Sequence, residues 1–266
     1  MNLEGFTKEQ YTKENLKSED KWILTKLNNT IKEVTKNMDK YEFNNAGAAL
    51  YNFIWSDFCD NYIEIAKFSL DDYNTKTILL DVITAIIKML HPFMPYVTDE
   101  IYSMLPIKDA ENIMISNYPT YDKTSIYIED ETIIDDTINF VKVFRNIKAE
   151  NNIPSTFEVT LDNDSNYELI IKMLKLTDNI VTDKLDKNSY EVQYKNYKAT
   201  IYYEKEITEE DIKLKEKQIE TLKNSIERRK NLLANENYVS KAPAHLVEVE
   251  KAKLAEEEKQ LESLIQ

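Results

Sequence analysis

Side chains able to do covalent or acid–base chemistry are scarce in this sequence. Its 266 residues include two histidines, His91 and His245, and one cysteine, Cys59. The histidines lie far apart: His91 precedes the helix-breaking Pro92, and His245 stands beside a bend, so both are expected to be structural. Cys59 falls in a helical pattern near Phe58 and Tyr62, with no histidine placed to take its proton, and a buried thiol is expected. Glycine occurs only at Gly5 and Gly47, which leaves no room for a glycine-rich phosphate loop. The 48 carboxylates spread like solvated helix faces, without a pair marked out for acid–base work. One cysteine makes neither an internal disulfide nor a zinc cluster, in keeping with a reducing compartment. What remains is the chemistry of binding. The formal charge of −14 argues against nonspecific coating of duplex DNA, whose affinity comes mostly from phosphate neutralisation. Positive charge nevertheless collects locally. Between 223 and 246 stand Lys223, Arg228, Arg229, Lys230 and Lys241 against only Glu227 and Glu236.

The elements that must position such groups are mostly helices. Few glycines and six prolines suit long helices rather than a turn-rich fold. From Ser18, read as an N-cap, Leu24, Leu27, Ile31, Val34 and Met38 recur at helical spacing. A second helix follows Asn44 with Ala46, Leu50, Phe53, Ile54, Phe58, Tyr62 and Ile65. A third, from about Thr75, is apolar over a wide arc and should be the most buried. Pro92 and Pro95 in "HPFMPYVTDEIYSMLP" end it, and Thr98 is expected to cap a short helix. A long helix from about Asp130 to Asn152 offers Ile134, Ile138, Val141 and Phe144 to a core and leaves Lys142, Arg145 and Lys148 on another face. Residues 1–153 thus read as a helical bundle. In 154–206, "TFEVTLDN" alternates as a strand, "YELIIKMLKLTDNI" has helical spacing, and "SYEVQYKN" with "YKATIYYE" form two strands about a tight turn, giving a small α/β unit.

Residues 207–266 carry heptads. Ile212, Ile219, Ile226 and Leu233 are spaced by seven, as are Val247, Leu254 and Leu261, with Leu222 and Leu264 at intervening seam positions. A reversal about Ser240 sets 233 against 247, 226 against 254 and 219 against 261. Thr208 with Asp211 reads as a capping box at one root, and Pro243 suits the first turn of the returning helix. The fold class expected is mainly α: a bundle, a small α/β unit and an antiparallel two-helix coiled-coil arm. No run of about 18 apolar residues and no basic-then-apolar leader occurs, so neither membrane spanning nor export is expected, and the chain reads as cytoplasmic.

These residues carry a resemblance. "DKWILTKLNNTIKEVTKNMDKYEFNNAGAALYNFIWSDFCDNYIEIAK" (20–67) resembles the anticodon-binding domain of valyl-tRNA synthetases. "HPFMPYVTDEIYSMLP" is similar to a signature shared by the valyl, isoleucyl and leucyl enzymes, and "FRNIKAENNIP" (144–154) to the family's last bundle helix. "NENYVSKAPAHLVEVEKAKLAEEEKQLESL" resembles the C-terminal tRNA-binding arm of the valyl enzymes, whereas isoleucyl enzymes often end in a cysteine-ligated zinc module. The 155–206 unit matches weakly. The family's catalytic HIGH-type and KMSKS-type motifs do not occur, so the resemblance implies a C-terminal fragment that binds tRNA-Val without charging it. ATP and Mg would then belong to missing catalytic and editing domains, with no cofactor or metal in this chain. No valine-dependent ATP–pyrophosphate exchange is expected from it.

For the anticodon, the resemblance implies Lys21, Trp22, Lys26, Lys67 and Phe68, with Arg145 and Lys148 beside them, as stacking and base-edge groups. For the arm it implies Arg228, Arg229, Lys230, Tyr238 and Lys241 at the outer corner of the tRNA. A monomer is expected, with no DNA or membrane partner. The alternatives are a free-standing helical interaction module, or the same part of an isoleucyl or leucyl enzyme.

Overall fold

A computed structural model describes residues 15–162, 167–204, 209–234 and 244–265; in the last two stretches side chains are described only for 217–234 and 247–261. They fall into two compact units divided at 204/205. In the first, α1 (Ser18–Asp39) is followed by one long helical run: α2 (Phe43–Asn52), a π-helical segment (Phe53–Tyr62) and α3 (Ile63–Ala66). Then come α4 (Tyr73–Leu90), α5 (Pro95–Met104) and α6 (Ile128–Glu150). The strand β1 (Phe157–Leu161), α7 (Tyr167–Leu174), β2 (Asn188–Tyr194) and β3 (Tyr197–Tyr203) complete it. The second unit pairs α8 (Glu209–Ala234) with α9 (Ala244–Ile265).

The apolar stripes pack as their spacing requires. Ile23, Leu24, Leu27, Ile31 and Val34 of α1 meet Ala46, Leu50, Phe53, Phe58, Tyr62 and Ile65 of the second run. Within that run the buried positions 53, 58 and 62 step by five and then four, wider than an α-helix allows. The π-helical turn accommodates this, and Asn61 Nδ2 donates to the carbonyl of Ser56, five residues back (2.5 Å). Ten of the 18 residues of α4 are buried. Its start is fixed by Asp72, whose carboxylate accepts from the amides of Asn74 (2.8 Å) and Thr75 (3.4 Å).

Two expected caps are elsewhere. Ser18 is the first residue of α1 rather than its cap; Lys17 takes that place without a side-chain capping bond and instead pairs with Asp72 at 3.2 Å. Thr98 lies buried inside α5, whose first residue is Pro95. Its hydroxyl donates back to the carbonyl of Met94 (2.8 Å) and faces His91 Nδ1 (2.7 Å), so it locks the turn from within.

α6 belongs to two cores at once. Ile134 and Ile138 pack into the bundle. Phe140, Val141 and Phe144 pack instead with Phe157, Val159, Ile170, Val192 and Ile201, so the sheet is fastened to the bundle's own last helix. The sheet is antiparallel with order β1-β3-β2, and β2 and β3 turn at Lys195, which adopts φ 50°.

In the second unit, the nine residues between α8 and α9 cannot span the roughly 39 Å length of a 26-residue helix, so two helices in contact must run antiparallel. Ile226 and Val247 are buried in the seam, and Ile219, Leu222, Leu233, Leu254 and Leu261 are half-buried. Ile212 and Leu264 lie outside the described side chains, as does the Thr208–Asp211 box, and Pro243 lies outside the described residues.

Ile226→Asp should unzip the α8–α9 hairpin alone, because a charge at a buried seam position has no partner there. Both tryptophans, Trp22 and Trp55, lie in the first unit. Far-UV circular dichroism should therefore lose the signal of α8 and α9 while tryptophan emission and its thermal midpoint stay put. A simultaneous shift of the tryptophan midpoint would show that the units do not fold independently.

Candidate nucleic-acid interface

The root of α1 is organised around a buried carboxylate. Asp20 is fully buried and accepts from Tyr62 Oη at 2.6 Å and Thr75 Oγ1 at 3.1 Å. Burial pushes its carboxyl up to about 6, although the two hydroxyl donors favour the charged form. One side chain so joins α1, the π-helical run and α4.

Within the two turns that follow Asp20, the expected anticodon residues of α1 face α6. Trp22 is buried, and its indole Nε1 donates to Asp135 Oδ1 at 2.8 Å, which makes it a core residue and not an exposed stacking surface. Lys26 Nζ reaches Asp135 Oδ2 at 2.8 Å and Glu131 Oε1 at 3.0 Å, and Lys21 Nζ lies 3.5 Å from Asp130 Oδ2. The partners come from the acidic first turns of α6, where carboxylates also suit the helix dipole. Asp57 of the π-helical segment looks onto the same cluster, and burial raises its carboxyl to about 6, with Lys26 pulling down and Asp135 and Glu131 pushing up.

Lys67 and Phe68 are exposed at the end of the run, with Lys67 on Glu64 at 2.5 Å. Phe68, 43% exposed, lines a cleft of about 430 Å³ shared with Lys17, Glu19, Ile134, Leu169 and Lys172. A ring flanked by lysine stems at a cleft mouth can stack an unpaired base while ammonium groups meet its phosphates. Lys17 and Lys172 were not singled out from sequence; the signals were the position of Lys17 just before α1 and the Glu168–Lys172 spacing of four, which here forms an ion pair (2.5 Å). Arg145 and Lys148 are not brought to this cleft's lining. Arg145 Nη2 donates to the carbonyl of Met173 at 3.0 Å, and Lys148 lies 4.0 Å over the ring of Phe157, where partial burial lowers its pKa.

On the hairpin, the three expected tRNA-contacting residues whose side chains are described, Arg228, Arg229 and Lys230, differ. Arg228 is exposed. Arg229 reaches across the seam to Glu250 and to Glu257 (Nε, 3.0 Å), and Glu257 also accepts from Ser225 at 3.0 Å. Lys230 is exposed and meets Glu258 at 2.7 Å. Tyr238 and Lys241 lie outside the described residues.

Comparison with known proteins identifies both parts. The family described as the anticodon-binding domain of tRNA ligase matches residues 20–162, and the family described as the valyl tRNA synthetase tRNA binding arm matches 206–266. Among similar proteins, the valine–tRNA ligase of Petrotoga mobilis is 34% identical over 286 residues, covering 99% of this chain and 32% of that protein. The valine–tRNA ligase of Thermotoga maritima is 37% identical, covering 96% and 30%, and that of Bacillus subtilis 33% identical, covering 95% and 31%. The chain thus spans about a third of the length of these relatives.

Asp20 gives the first unit a distinctive pH dependence. Its carboxyl keeps a proton up to about pH 6 when folded but only to its ordinary value of 3.8 when unfolded. Folding therefore takes up a proton between these values, and this group's contribution to stability grows as pH falls from about 6 to 4. In Asp20→Asn that increment should vanish: the stability difference between wild type and variant should change by about 2–3 kcal/mol between pH 7.5 and 4. Denaturant titrations across the range, followed by tryptophan emission, measure it. A pH-independent difference would show that Asp20 titrates normally.

Proposed function

We infer that this chain, which belongs to the anticodon-binding domain family of tRNA ligases and ends in a valyl-type tRNA-binding arm, is the tRNA-recognition part of a valine–tRNA ligase. The observation that carries the reading is that both family matches follow one another in a single chain and fall on its two separate units. The first unit takes the anticodon loop and the second the outer corner of tRNA-Val. Activation of valine, with its ATP and Mg, belongs to parts of such a ligase other than these residues.

Within the first unit the anticodon end is the Phe68 cleft. Unpaired bases are held by stacking and by edge contacts, and Phe68 offers an exposed ring in a cleft shared with Lys17 and Lys172, with exposed Lys67 preceding it in the chain. Trp22 and Lys26 act one layer behind, by fixing α6 against α1. On the arm, Arg228 and Lys230 point outward and supply phosphate contacts, while Arg229 holds the helices together. Two weak sites on one rigid RNA reinforce each other through effective concentration.

Removing residues 205–266 should weaken binding of tRNA-Val more than tenfold. Arg228→Ala with Lys230→Ala should weaken all tRNAs about equally and lower the salt slope by roughly one to two units, because phosphate contacts carry position and not sequence. Phe68→Ala should instead reduce the preference for valine anticodons, losing about 1–3 kcal/mol of stacking. Fluorescence titrations at several salt concentrations decide these points. An unchanged slope in the double variant would make the basic face of the hairpin a solvated surface.

A further inference from the structure

Among the described residues lining the Phe68 cleft, Glu19 and Glu168 are the carboxylates, and their circumstances differ. Glu168 is occupied by Lys172 at 2.5 Å. Glu19, half-buried in the first turn of α1, has neither an ion pair nor a side-chain hydrogen bond among the described residues. It shares the cleft with Lys17, Ser18, Phe68 and Ser69. Its neighbour Asp20 already supplies the carboxylate that ties α1 to the π-helical run and α4. A second acid in that turn favours the helix dipole, but it would do so equally if it faced open solvent. Lining a cleft that receives RNA, it repels every phosphate that enters. That repulsion is offset where the carboxylate meets a base edge carrying an N–H group, since an ionised carboxylate can only accept.

The genetic code says which base that is. Valine codons begin with guanine and uracil, so valine anticodons carry adenine in the middle and cytosine at the third position. The middle adenine is shared with the isoleucine and leucine anticodons. Only the third base separates valine from isoleucine, whose anticodons have uracil there. At the edge where the two bases differ, cytosine presents its N4 amine, a donor, and uracil its O4 carbonyl, an acceptor. A carboxylate bonds the first and is repelled by the second. An ammonium group in the same place, which can only donate, would favour uracil instead.

We propose that Glu19 tells a valine anticodon from an isoleucine one: with the third base stacked on Phe68, its carboxylate accepts from cytosine N4 and repels uracil O4. This rests on the reading of the Phe68 cleft as the anticodon end of a tRNA-recognition unit, and it names the residue that sets the preference there. The test uses the whole chain and two tRNA-Val transcripts that differ only in having cytosine or uracil at the third anticodon position, titrated by fluorescence. Wild type should bind the cytosine form about tenfold more tightly than the uracil form, or better. Glu19→Gln offers an acceptor and a donor together, so the ratio should fall to about threefold or less, chiefly because the uracil form gains affinity. Glu19→Asp keeps the charge and its effect on the helix dipole but draws the oxygens back by one methylene. Its ratio should fall as well, at an unchanged thermal midpoint of tryptophan emission, whereas a carboxylate that only stabilises α1 predicts an intact ratio. The proposal is wrong if Glu19→Gln keeps the wild-type ratio, or if it tightens both forms equally, which would make Glu19 a general repellent of phosphate. If that ratio is kept while Phe68→Ala loses the preference for valine anticodons, this proposal alone falls. Failure of wild type to bind tRNA-Val at all would overturn the proposed function, and this proposal with it.

Discussion

Asp20 is the point on which the first unit turns. A carboxylate without solvent contact is costly unless its oxygens are bonded, and here each oxygen has one hydroxyl donor, from Tyr62 and from Thr75. The donors come from different helices, so the arrangement holds only when α1, the π-helical run and α4 meet in one register. Tyr62 reaches Asp20 because the π-helical turn rotates it inward along with Phe53 and Phe58. Neighbouring Asp72 caps α4 and pairs with Lys17, placing the start of α1 beside that of α4. From this knot α1 runs one way towards the lysines that meet α6, and the chain beyond Tyr62 runs the other way to Phe68 and its cleft.

Balance of charge decides which cations remain for another molecule. The chain is strongly acidic, and most lysines at the root of α1 meet a carboxylate inside the fold: Lys21 with Asp130, Lys26 with Glu131 and Asp135, while the pair of Lys17 with Asp72 is more open to solvent. Half-buried pairs of this kind hold elements in place, and withdrawing one partner leaves the other unpaired. Exposed pairs such as Lys67–Glu64, Lys172–Glu168 and Lys230–Glu258 cost little to open, because water already competes for both groups. Availability to an RNA phosphate therefore follows burial of the pair more closely than the mere presence of a lysine.

Sequence spacing predicted much of this architecture: the bundle helices, the strands and the heptad hairpin lie where apolar periodicity put them, within a few residues at their ends. Legibility failed where identity of the neighbour matters. Trp22 in a lysine-flanked stretch suggests a stacking surface, yet its indole finds Asp135, 113 residues away. No local pattern encodes that contact. Ser18 and Thr98 are good capping residues by type, but Lys17 and Met94 hold the cap positions. The change from α to π geometry had a trace, the 53–58–62 spacing, which a fixed 3.6-residue period averages away. The division of α6 between two cores was hidden for a similar reason: Ile134, Ile138, Val141 and Phe144 read as one stripe, although Phe140 begins a second contact face.

The hairpin shows why a thin arm needs charge inside its seam. Two helices shield few side chains completely; only Ile226 and Val247 are buried among the described seam positions. Apolar heptads alone tolerate a slip by one repeat, because each layer resembles the next. Arg229 is not indifferent to such a slip. It bridges Glu250 and Glu257, one heptad apart on α9, while Ser225 bonds the second of them. Sliding α9 by seven residues towards either end keeps one glutamate near the arginine and carries the other away. The guanidinium, which needs several acceptors for its fixed fork of donors, is then incompletely satisfied. A residue that looks from sequence like one of three equivalent phosphate ligands therefore selects the register, and that register sets where Arg228 and Lys230 stand on the outer face.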